Sequence, residues 1–494
     1  MSSGGPFAQS AESFEDLLAF LESGETGGFE HAELEEAIEA RGRELMRLLM
    51  QDHLDLRAER EIRLSSVVDA GGRPRPRLES GHCRSLETIF GEVRGTRLAY
   101  RELQMPNLQP ADGVLNMPAE RHSHGLRRLA AIESSRGSFD QAAEAIARTS
   151  GQWLGKRQVE ELARRGTRDF EQYYSDRHHE PAQASDVLVI SADGKGIVMR
   201  PDALRPATAT AAGRATKKLA TRLSKGEKAN RKRMAVVGAV FDATPARRIP
   251  ADILAAEHHV AKPGPVAKNK WLMASVVSEA AAVISQVFDE AERRDPEHAR
   301  TWLALVDGNR HQIACIEAEA RRRKLSVAIV CDFVHVLEYL WKAAWCFHKE
   351  GDPAAQDWVR RHATTILAGG ATTVAGAIRR AATRARLDKA RRTSADECAA
   401  YLTNKRRYLD YPRALGSGWP IATGVIEGAC RHLVRDRMDL TGARWGLEGA
   451  EAVLKLRALR SNGDFADYWK FHLAQERRRI HESRYLNGVI PRAA

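Results

Sequence analysis

The stretch Val-Leu-Val-Ile-Ser-Ala-Asp-Gly-Lys-Gly-Ile-Val, residues 187–198, carries the strongest indication of the fold. Its first four residues are apolar and mostly β-branched, which is typical of a buried strand. The run ends at Asp193, next to small residues that permit a turn or the close approach of a ligand. Two interpretations are open: an Asp-Gly turn between two strands, or a carboxylate fixed on a central strand where it can bind a divalent cation.

The charge distribution narrows the class of partner. The chain of 494 residues has 77 Lys and Arg against 65 Asp and Glu, which gives a formal net charge of +12. The first forty residues contain ten acidic and no basic side chains, so the positive excess lies beyond them. A basic chain favours a polyanionic partner, most simply nucleic acid, although a charged surface alone gives the same balance.

Cysteine usage and hydropathy predict a cytoplasmic protein, and a DNA partner would make it nucleoid-associated. The six cysteines form no Cys-x-x-Cys pair, which disfavours a thiolate zinc site. No apolar run approaches the ~20 residues that a membrane span needs. The acidic N-terminus lacks the positive start and apolar segment of a signal peptide.

The N-terminal part is predicted to be mainly helical. Apolar residues at three- and four-residue spacing predict an acidic helical arm over 1–66. Within 84–177, a predicted β-hairpin precedes two short helices, Phe139–Thr149 and Lys156–Arg165, joined by a turn that contains Gly151. These helices resemble a helix-turn-helix, with an ordinary helical hairpin as the alternative. We therefore predict that 84–177 binds DNA.

The order of the later elements predicts a topology. Further strands are predicted at 234–241, 247–254, 302–306 and 326–331, and helices at 270–294, 312–324 and 336–348. Three strands, a helix, a strand, a helix, a strand and a late helix follow the order of the ribonuclease H fold. The predicted class is therefore α/β, with a mainly helical DNA-binding N-terminal region before the core. Its parts are a ribonuclease H-like core over 185–348 and 421–460, an all-helical insertion at 349–420 and a peripheral tail at 461–494.

Three acids occupy the positions that this fold uses for metal ions. It places one acid on the first strand, one after the fourth strand and one on the late helix, which here are Asp193, Asp307 and Glu427. Carboxylates of this kind can hold two Mg²⁺ ions, with Mn²⁺ as a substitute, on either side of a phosphodiester. Asp332 competes with Asp307 because it also follows an apolar strand, but that strand is the fifth. His335 could support a metal ligand, contact a phosphate or be structural.

Basic residues are candidates for contacts with the DNA backbone. Arg431 and Arg435 follow Glu427 at four-residue steps, which predicts a shared helical face. Runs of basic residues also occur in solvated loops, and arginines beside an acid on a helix also occur as exposed ion-pair ladders. The full candidate set is Lys156, Arg157, Arg164, Lys217, Lys218, Arg222, Arg231, Lys232, Arg233, Arg379, Arg384, Arg431 and Arg435.

Several motifs resemble the ISKra group of bacterial insertion-sequence transposases. They are Asp-Gly-Lys-Gly at 193–196, Val-Asp-Gly-Asn at 306–309, Asp-Phe-Val-His-Val-Leu-Glu-Tyr-Leu-Trp at 332–341, Thr-Gly-Val-Ile-Glu-Gly-Ala-Cys-Arg-His at 423–432, and the segment 441–457, with His-Cys-Arg at 82–84 and Asn-Met-Pro at 116–118. The resemblance spans about residues 80–470. It implies a DDE transposase with Asp193, Asp307 and Glu427 as metal-binding catalytic acids. It also implies that Asp332 and His335 form the Asp-x-x-His element that follows the second catalytic acid.

The resulting functional hypothesis is Mg²⁺-dependent DNA cleavage and strand transfer. The chain would bind the terminal inverted repeats of its transposon through 84–177 and cut and join their ends at the acid triad. Because both ends must be handled together, we expect a homodimer or a larger homo-oligomer acting on double-stranded DNA. The alternatives are a ribonuclease H-like nuclease without strand transfer and a non-catalytic DNA-binding regulator derived from a transposase.

Overall fold

The computed structural model of the chain describes residues 5–178, 185–214, 231–254, 259–440 and 442–492. They form two compact units. The first unit runs to Tyr173 and resumes at Gly463, and the second spans Tyr174–Asn462. No helix among the described residues is long and apolar enough to cross a membrane.

The first unit begins with a helical arm and a hairpin. The arm consists of α1 (Ala8–Glu22) and α2 (His31–Glu59), and the predicted hairpin is confirmed as the antiparallel pair β1 (Arg77–Thr88) and β2 (Gly91–Arg101). The helices that follow along the chain are α3 (Pro110–Val114), α4 (His124–Arg136), α5 (Phe139–Ser150), α6 (Lys156–Arg165) and α7 (Phe170–Ser175).

The pair α5 and α6 forms as the sequence predicts. The Ser138 hydroxyl accepts a hydrogen bond from the Gln141 backbone N–H, and the Gln141 side chain accepts one from the Ser138 backbone N–H. This capping box starts α5, and Gly151 ends it at a φ of +69°. The buried faces of both helices share one apolar core with α4. That packing suits both a helix-turn-helix and an ordinary helical hairpin.

The second unit is built on a mixed sheet of five strands, which confirms the α/β class. The strands are β3 (Val187–Val198), β4 (Lys232–Ala243), β5 (Ala267–Ser275), β6 (Trp302–Val306) and β7 (Val327–Cys331). Their order across the sheet is β5-β4-β3-β6-β7. β3 pairs antiparallel with β4 and parallel with β6, so it lies at the centre.

Helices lie between these strands and after them along the chain. They are α8 (Pro206–Gly213), α9 (Pro250–Ile253), α10 (Ala280–Arg294), α11 (Arg310–Arg323), α12 (Phe333–Ala344), α13 (Pro353–Leu367), α14 (Ala371–Arg384), α15 (Thr393–Asn404), α16 (Tyr411–Gly416), α17 (Gly424–Ala429), α18 (Asp436–Met438) and α19 (Leu447–Ser461). The stretch 349–420, all of which is described, is helical and contains no strand, as predicted.

The prediction of the third strand was wrong. We expected it at 247–254, but that stretch contains the short helix α9, which begins at Pro250 and is capped by Asp252. The third strand is β5, in a segment that we assigned to the start of a helix over 270–294. Only the second half of β5 is buried, so it lacks alternation, and its pairing with β4 determines its conformation.

Two predictions for the C-terminal part also differ from the structure. The sequence predicts a helix over 440–460, but residues 440 and 442–446 are not helical, and Trp445 instead forms a β-bridge with Met199 before α19 begins. The stretch 461–494, treated as a peripheral tail, contains the long helix α20 (Phe465–Ile480) of the first unit. Tyr468 and His472 of α20 are fully buried, so this helix is part of the core of that unit.

Candidate functional site

Asp193 lies inside a strand and not in a turn. β3 continues to Val198, and Asp193 pairs with Val237 of β4 in an unbroken antiparallel register. On the other side of β3, the parallel pairing with β6 ends at Ser191 and Leu305, where the Ser191 hydroxyl donates to the Leu305 carbonyl at 2.7 Å. The interpretation as an Asp-Gly turn is therefore wrong. β3 extends beyond the end of β6 and carries Asp193 past it.

The strand register brings two further acids to the same edge. Asp307 comes two residues after Leu305, just as Asp193 comes two residues after Ser191. Val306 pairs with Cys331, so Asp332 follows at the same level on β7. Because side chains in matched positions of parallel strands point to the same face, the carboxyl ends of β3, β6 and β7 present a row of acids. We call Asp193, Asp307, Asp332 and Glu427 the acid edge.

The segment that carries Glu427 packs against β3 and β4 and reaches this edge. Cys430 follows Glu427 by three residues, and its thiol donates to Asp193 Oδ2 at 3.3 Å. Burial and the charge of Asp193 raise the pKa of Cys430, so this side chain is a neutral thiol and a donor.

Thr423 links the start of α17 to the end of β7. Its hydroxyl lies 2.5 Å from Asp332 Oδ2 and 3.3 Å from Glu427 Oε1, and the Phe333 N–H donates to the Ile421 carbonyl at 2.8 Å. A hydroxyl has one proton, which the shorter distance assigns to Asp332. Glu427 itself is exposed. The structure thus brings Glu427 close to Asp193 through Cys430 and close to Asp332 through Thr423.

Asp307 and Asp332 differ in how many of their oxygens the protein occupies. Asp332 is 2% exposed, and it accepts hydrogen bonds at Oδ1 from the Val334 N–H and at Oδ2 from Thr423. Asp307 accepts one bond at Oδ1 from the Asn309 N–H, and no described residue donates to its Oδ2. Asp307 is therefore the better placed of the two to bind a ligand, in agreement with the topological preference.

Tyr401, which the sequence did not single out, fixes the turn that contains Asp307. Its hydroxyl donates to the Asp307 carbonyl at 3.1 Å. Gly308 has a φ of +97°, and a Cβ there would lie 2.8 Å from the Tyr401 oxygen. Only glycine suits this turn. Tyr401 comes from α15, 94 residues further along the chain, and no local sequence pattern points to this contact.

His335 stands beside the same turn. Its ring lies edge-on to the Tyr339 ring, 5.6 Å between centroids, and Nδ1 is 3.5 Å from a Glu338 oxygen. Tyr339 in turn stacks on Tyr401 at 4.3 Å. His335 therefore belongs to an aromatic wall next to Asp307. Both residues line the same cavity.

The basic candidates fall into three groups. Lys217, Lys218 and Arg222 lie outside the described residues. Arg233 donates to the backbone carbonyls of Val276 and Ala203, which indicates a structural role. The exposed or half-exposed candidates are Lys156, Arg157, Arg164, Arg231, Lys232, Arg379, Arg384, Arg431 and Arg435.

The shared face of Arg431 and Arg435 was predicted for an α-helix and needs correction. Cys430–Arg435 is π-helical, so these residues do not follow Glu427 at the spacing of an α-helical turn. Arg431 instead lies 3.6 Å from Asp436, five residues later. The other side of this segment is apolar, since Ile426, Leu433 and Val434 are buried and leave Glu427 outside the core.

The acid edge is not a preformed metal site. Among the described residues, no three His, Cys, Asp or Glu side chains converge closely enough to hold a metal ion. The chain matches no protein-family model and has no significant sequence match among curated proteins. The functional proposal therefore depends on the strand register and the side-chain contacts of the acid edge.

Proposed function

We propose that the second unit is the catalytic core of a DDE transposase, and that the acid edge cuts and joins DNA. The observation that supports this most strongly is the register at the carboxyl ends of β3 and β6. Asp193 and Asp307 follow the last paired residues by the same two positions, and the segment that carries Glu427 contacts Asp193 through Cys430. Three acids that are far apart in the sequence thus lie along one edge of a sheet.

The strand arrangement is consistent with a ribonuclease H-like core. The first three strands are antiparallel neighbours in the order β5-β4-β3, and the last two lie on the other side of β3 and run parallel to it. The helices of 349–420 come between β7 and the segment that carries Glu427, which is where we propose a helical insertion.

The donor set fits magnesium. Asp193, Asp307 and Glu427 offer carboxylate oxygens, which Mg²⁺ and Mn²⁺ prefer. Two such ions, when bound, would polarise the scissile phosphodiester and stabilise the attacking and leaving oxygens. The half-buried Asp193 and the exposed Glu427 leave room for water and for a DNA strand. Cys430 orients one Asp193 oxygen towards the helix, and the Tyr401 contact holds the backbone of Asp307.

The reaction would proceed in two chemically related steps. Water would first cleave a phosphodiester at the transposon end and release a 3′-hydroxyl. That hydroxyl would then attack a phosphodiester of target DNA, so one P–O bond forms as another breaks. Residues 84–177, with exposed Lys156 and Arg157 on α6, would bind the terminal repeats, and a homo-oligomer would hold two ends together.

The test is a cleavage and joining assay with the purified full chain. The substrate is duplex DNA that carries the inverted repeats found on both sides of the gene, and the reaction is run with Mg²⁺ or with EDTA. We expect cleaved and joined products with Mg²⁺ only, and their loss in Asp193→Asn and Glu427→Gln, whereas Glu350→Gln at an exposed acid keeps activity. Cleavage without joining would favour the nuclease. Repeat binding without either product would favour the regulator.

A further inference from the structure

A cavity of about 560 Å³ opens beside Asp307. Its walls come from the turn after β6, from α12 and from the end of α15. The residues that matter here are Asp307, Arg310, His335, Tyr339, Tyr401 and Lys405. The acid triad proposed above uses only the first of these, so the purpose of the rest of the cavity is open.

Lys405 is the feature that calls for a ligand. It lines the cavity, yet it is only 7% exposed. No described residue accepts a hydrogen bond from its ammonium group or lies in an ion pair with it. Its ammonium group therefore reaches the cavity without a protein partner, and an anion that enters the cavity can pair with it.

The remaining lining favours a singly charged anion with a flat or apolar part. Arg310 adds a second, exposed cation near the mouth, but Asp307 and Glu397 line the same cavity and would repel a multiply charged ligand. Tyr339 and Tyr401 form a stacked wall with the His335 ring against it. A phosphodiester carries a single negative charge, and its attached nucleoside supplies the flat surface.

We propose that this cavity binds one nucleotide of an unpaired DNA strand, with its phosphate at Lys405. The proposal rests on the proposed function, since it makes the cavity a subsite next to the scissile bond. Because Lys405 is only 7% exposed, a separated strand can bring a phosphate to it more easily than the broader duplex can. Lys405 and the aromatic wall would then favour DNA that is already unpaired or that opens at the transposon end.

The test measures DNA binding without cleavage. The full chain in a buffer without Mg²⁺ is titrated into a fluorescein-labelled oligothymidylate of about 20 nucleotides, and separately into the same strand paired with its complement. Lys405→Met is expected to weaken single-strand binding about tenfold and to leave duplex binding within about twofold. The salt dependence of single-strand binding should become shallower by about 0.7, as expected for one lost phosphate contact. Lys405→Arg should retain most of the binding.

The matched control is Lys349→Met, which removes one exposed lysine outside the cavity. It should leave both affinities unchanged. Asn404→Asp is a second variant, because Asn404 is exposed, lines the cavity and would add a negative charge there. Asn404→Asp should weaken single-strand binding. It tests the same cavity if Lys405→Met does not fold. Equal single-strand affinities for Lys405→Met, Asn404→Asp and Lys349→Met would overturn the proposal, as would equal losses for single strand and duplex.

The two proposals can fail separately. A wild-type chain that cuts and joins DNA, with a Lys405→Met variant that binds single strands normally, would refute the subsite and keep the transposase. A wild-type chain that shows no cleavage under any condition, but whose single-strand binding depends on Lys405, would refute the transposase and keep the subsite.

Discussion

Two polar regions of this chain contrast in how completely the protein satisfies their charges. In the first unit, Arg127, Asp169, His472, Glu476 and Arg479 form what we call the buried polar cluster. The His472 ring lies 2.6 Å from Asp169 Oδ2, and Arg479 donates to both Asp169 oxygens at 2.8 and 3.1 Å. In the second unit, the acid edge is partly exposed to solvent, and Asp307 Oδ2 has no donor among the described residues.

The pKa of Asp169 shows the effect of complete pairing. Burial alone raises the pKa of this carboxyl, but the hydrogen bonds from His472 and Arg479 outweigh burial and lower it to about 2. Arg127 is likewise held by Glu120 at 2.8 Å and by Glu476 at 3.0 Å. These charged side chains pair with one another, and the pairs hold α20 in its unit.

The contrast indicates how a functional acid differs from a structural one. Counting ionisable side chains would favour the buried polar cluster, which has five of them against four at the acid edge. An oxygen without a donor favours Asp307 of the acid edge, because a carboxylate whose oxygens are all bonded to the protein has less capacity left for a metal ion or a substrate. The predictions below test this distinction, from the largest expected effect to the smallest.

The sharpest test lies within the acid edge, between Asp307 and Asp332. Asp307→Ala should reduce DNA cleavage by about 1,000-fold and leave the free energy of unfolding within about 1 kcal/mol, because it removes a proposed metal ligand and one hydrogen bond. Asp332→Ala should instead lower that free energy by about 3 kcal/mol, because it leaves Thr423 and the Val334 N–H without their acceptor. Cleavage kinetics and urea unfolding measure the two effects, and a reversed pattern would make Asp332 the catalytic acid.

In the buried polar cluster, the expected loss is in stability. Asp169→Asn should lower the free energy of unfolding by about 3 kcal/mol, because it leaves Arg479 and His472 without a buried countercharge. Asp140→Asn, at an exposed acid on α5 of the same unit, should change it by less than about 0.5 kcal/mol. A loss of DNA cleavage by folded Asp169→Asn at low temperature would contradict a purely structural role.

His124 should make the first unit sensitive to mild acid. Burial lowers the pKa of this ring from 6.5 to about 4, and the ring accepts a hydrogen bond at Nδ1 from Arg127. The unfolded chain therefore binds the proton first as pH falls, so stability is complete above pH 6.5 and is lost towards pH 4, by up to about 3 kcal/mol. His124→Gln should flatten this part of the stability profile, whereas His31→Gln, at an exposed histidine, should leave its slope unchanged.

The smallest expected effect concerns the turn that holds Asp307. Gly308→Ala should lower the free energy of unfolding by about 1–2 kcal/mol, because its φ of +97° disfavours a side chain and its Cβ would press on Tyr401. The displaced turn should reduce cleavage further than this loss of stability explains. Gly416→Ala, where a Cβ meets open space, is the control. Unchanged cleavage in Gly308→Ala would show that the turn need not be held in this geometry.

Local pattern was enough for the elements whose signal lies in a short stretch. The apolar run before Asp193 predicted β3, Trp302–Val306 was placed correctly, and the predicted start of α5 at Phe139 is confirmed, with Ser138 as its cap. Such signals depend on burial and capping within a few residues. β5 was missed for the opposite reason, because only its pairing with β4 distinguishes it from a helix start.

The candidate site divides in the same way. The sequence supplied the acids, since each follows an apolar strand or lies on a late amphipathic helix. It could not supply Cys430 as the donor to Asp193, Tyr401 as the support of Asp307 or Lys405 in the adjacent cavity. Those contacts join residues that are tens to hundreds of positions apart, and no local spacing encodes them.

The sequence by itself determined the α/β class, the central strand and the identity of the acidic side chains, because hydrophobic period and strand ends are local properties. Only the tertiary structure decided which acids remain open and which are paired. Asp169 and Asp307 are the same residue type, but one meets an arginine and a histidine from α20 and the other meets a glycine turn and a cavity. That difference arises from packing between distant segments, which sets the partners and the solvent access of each carboxylate.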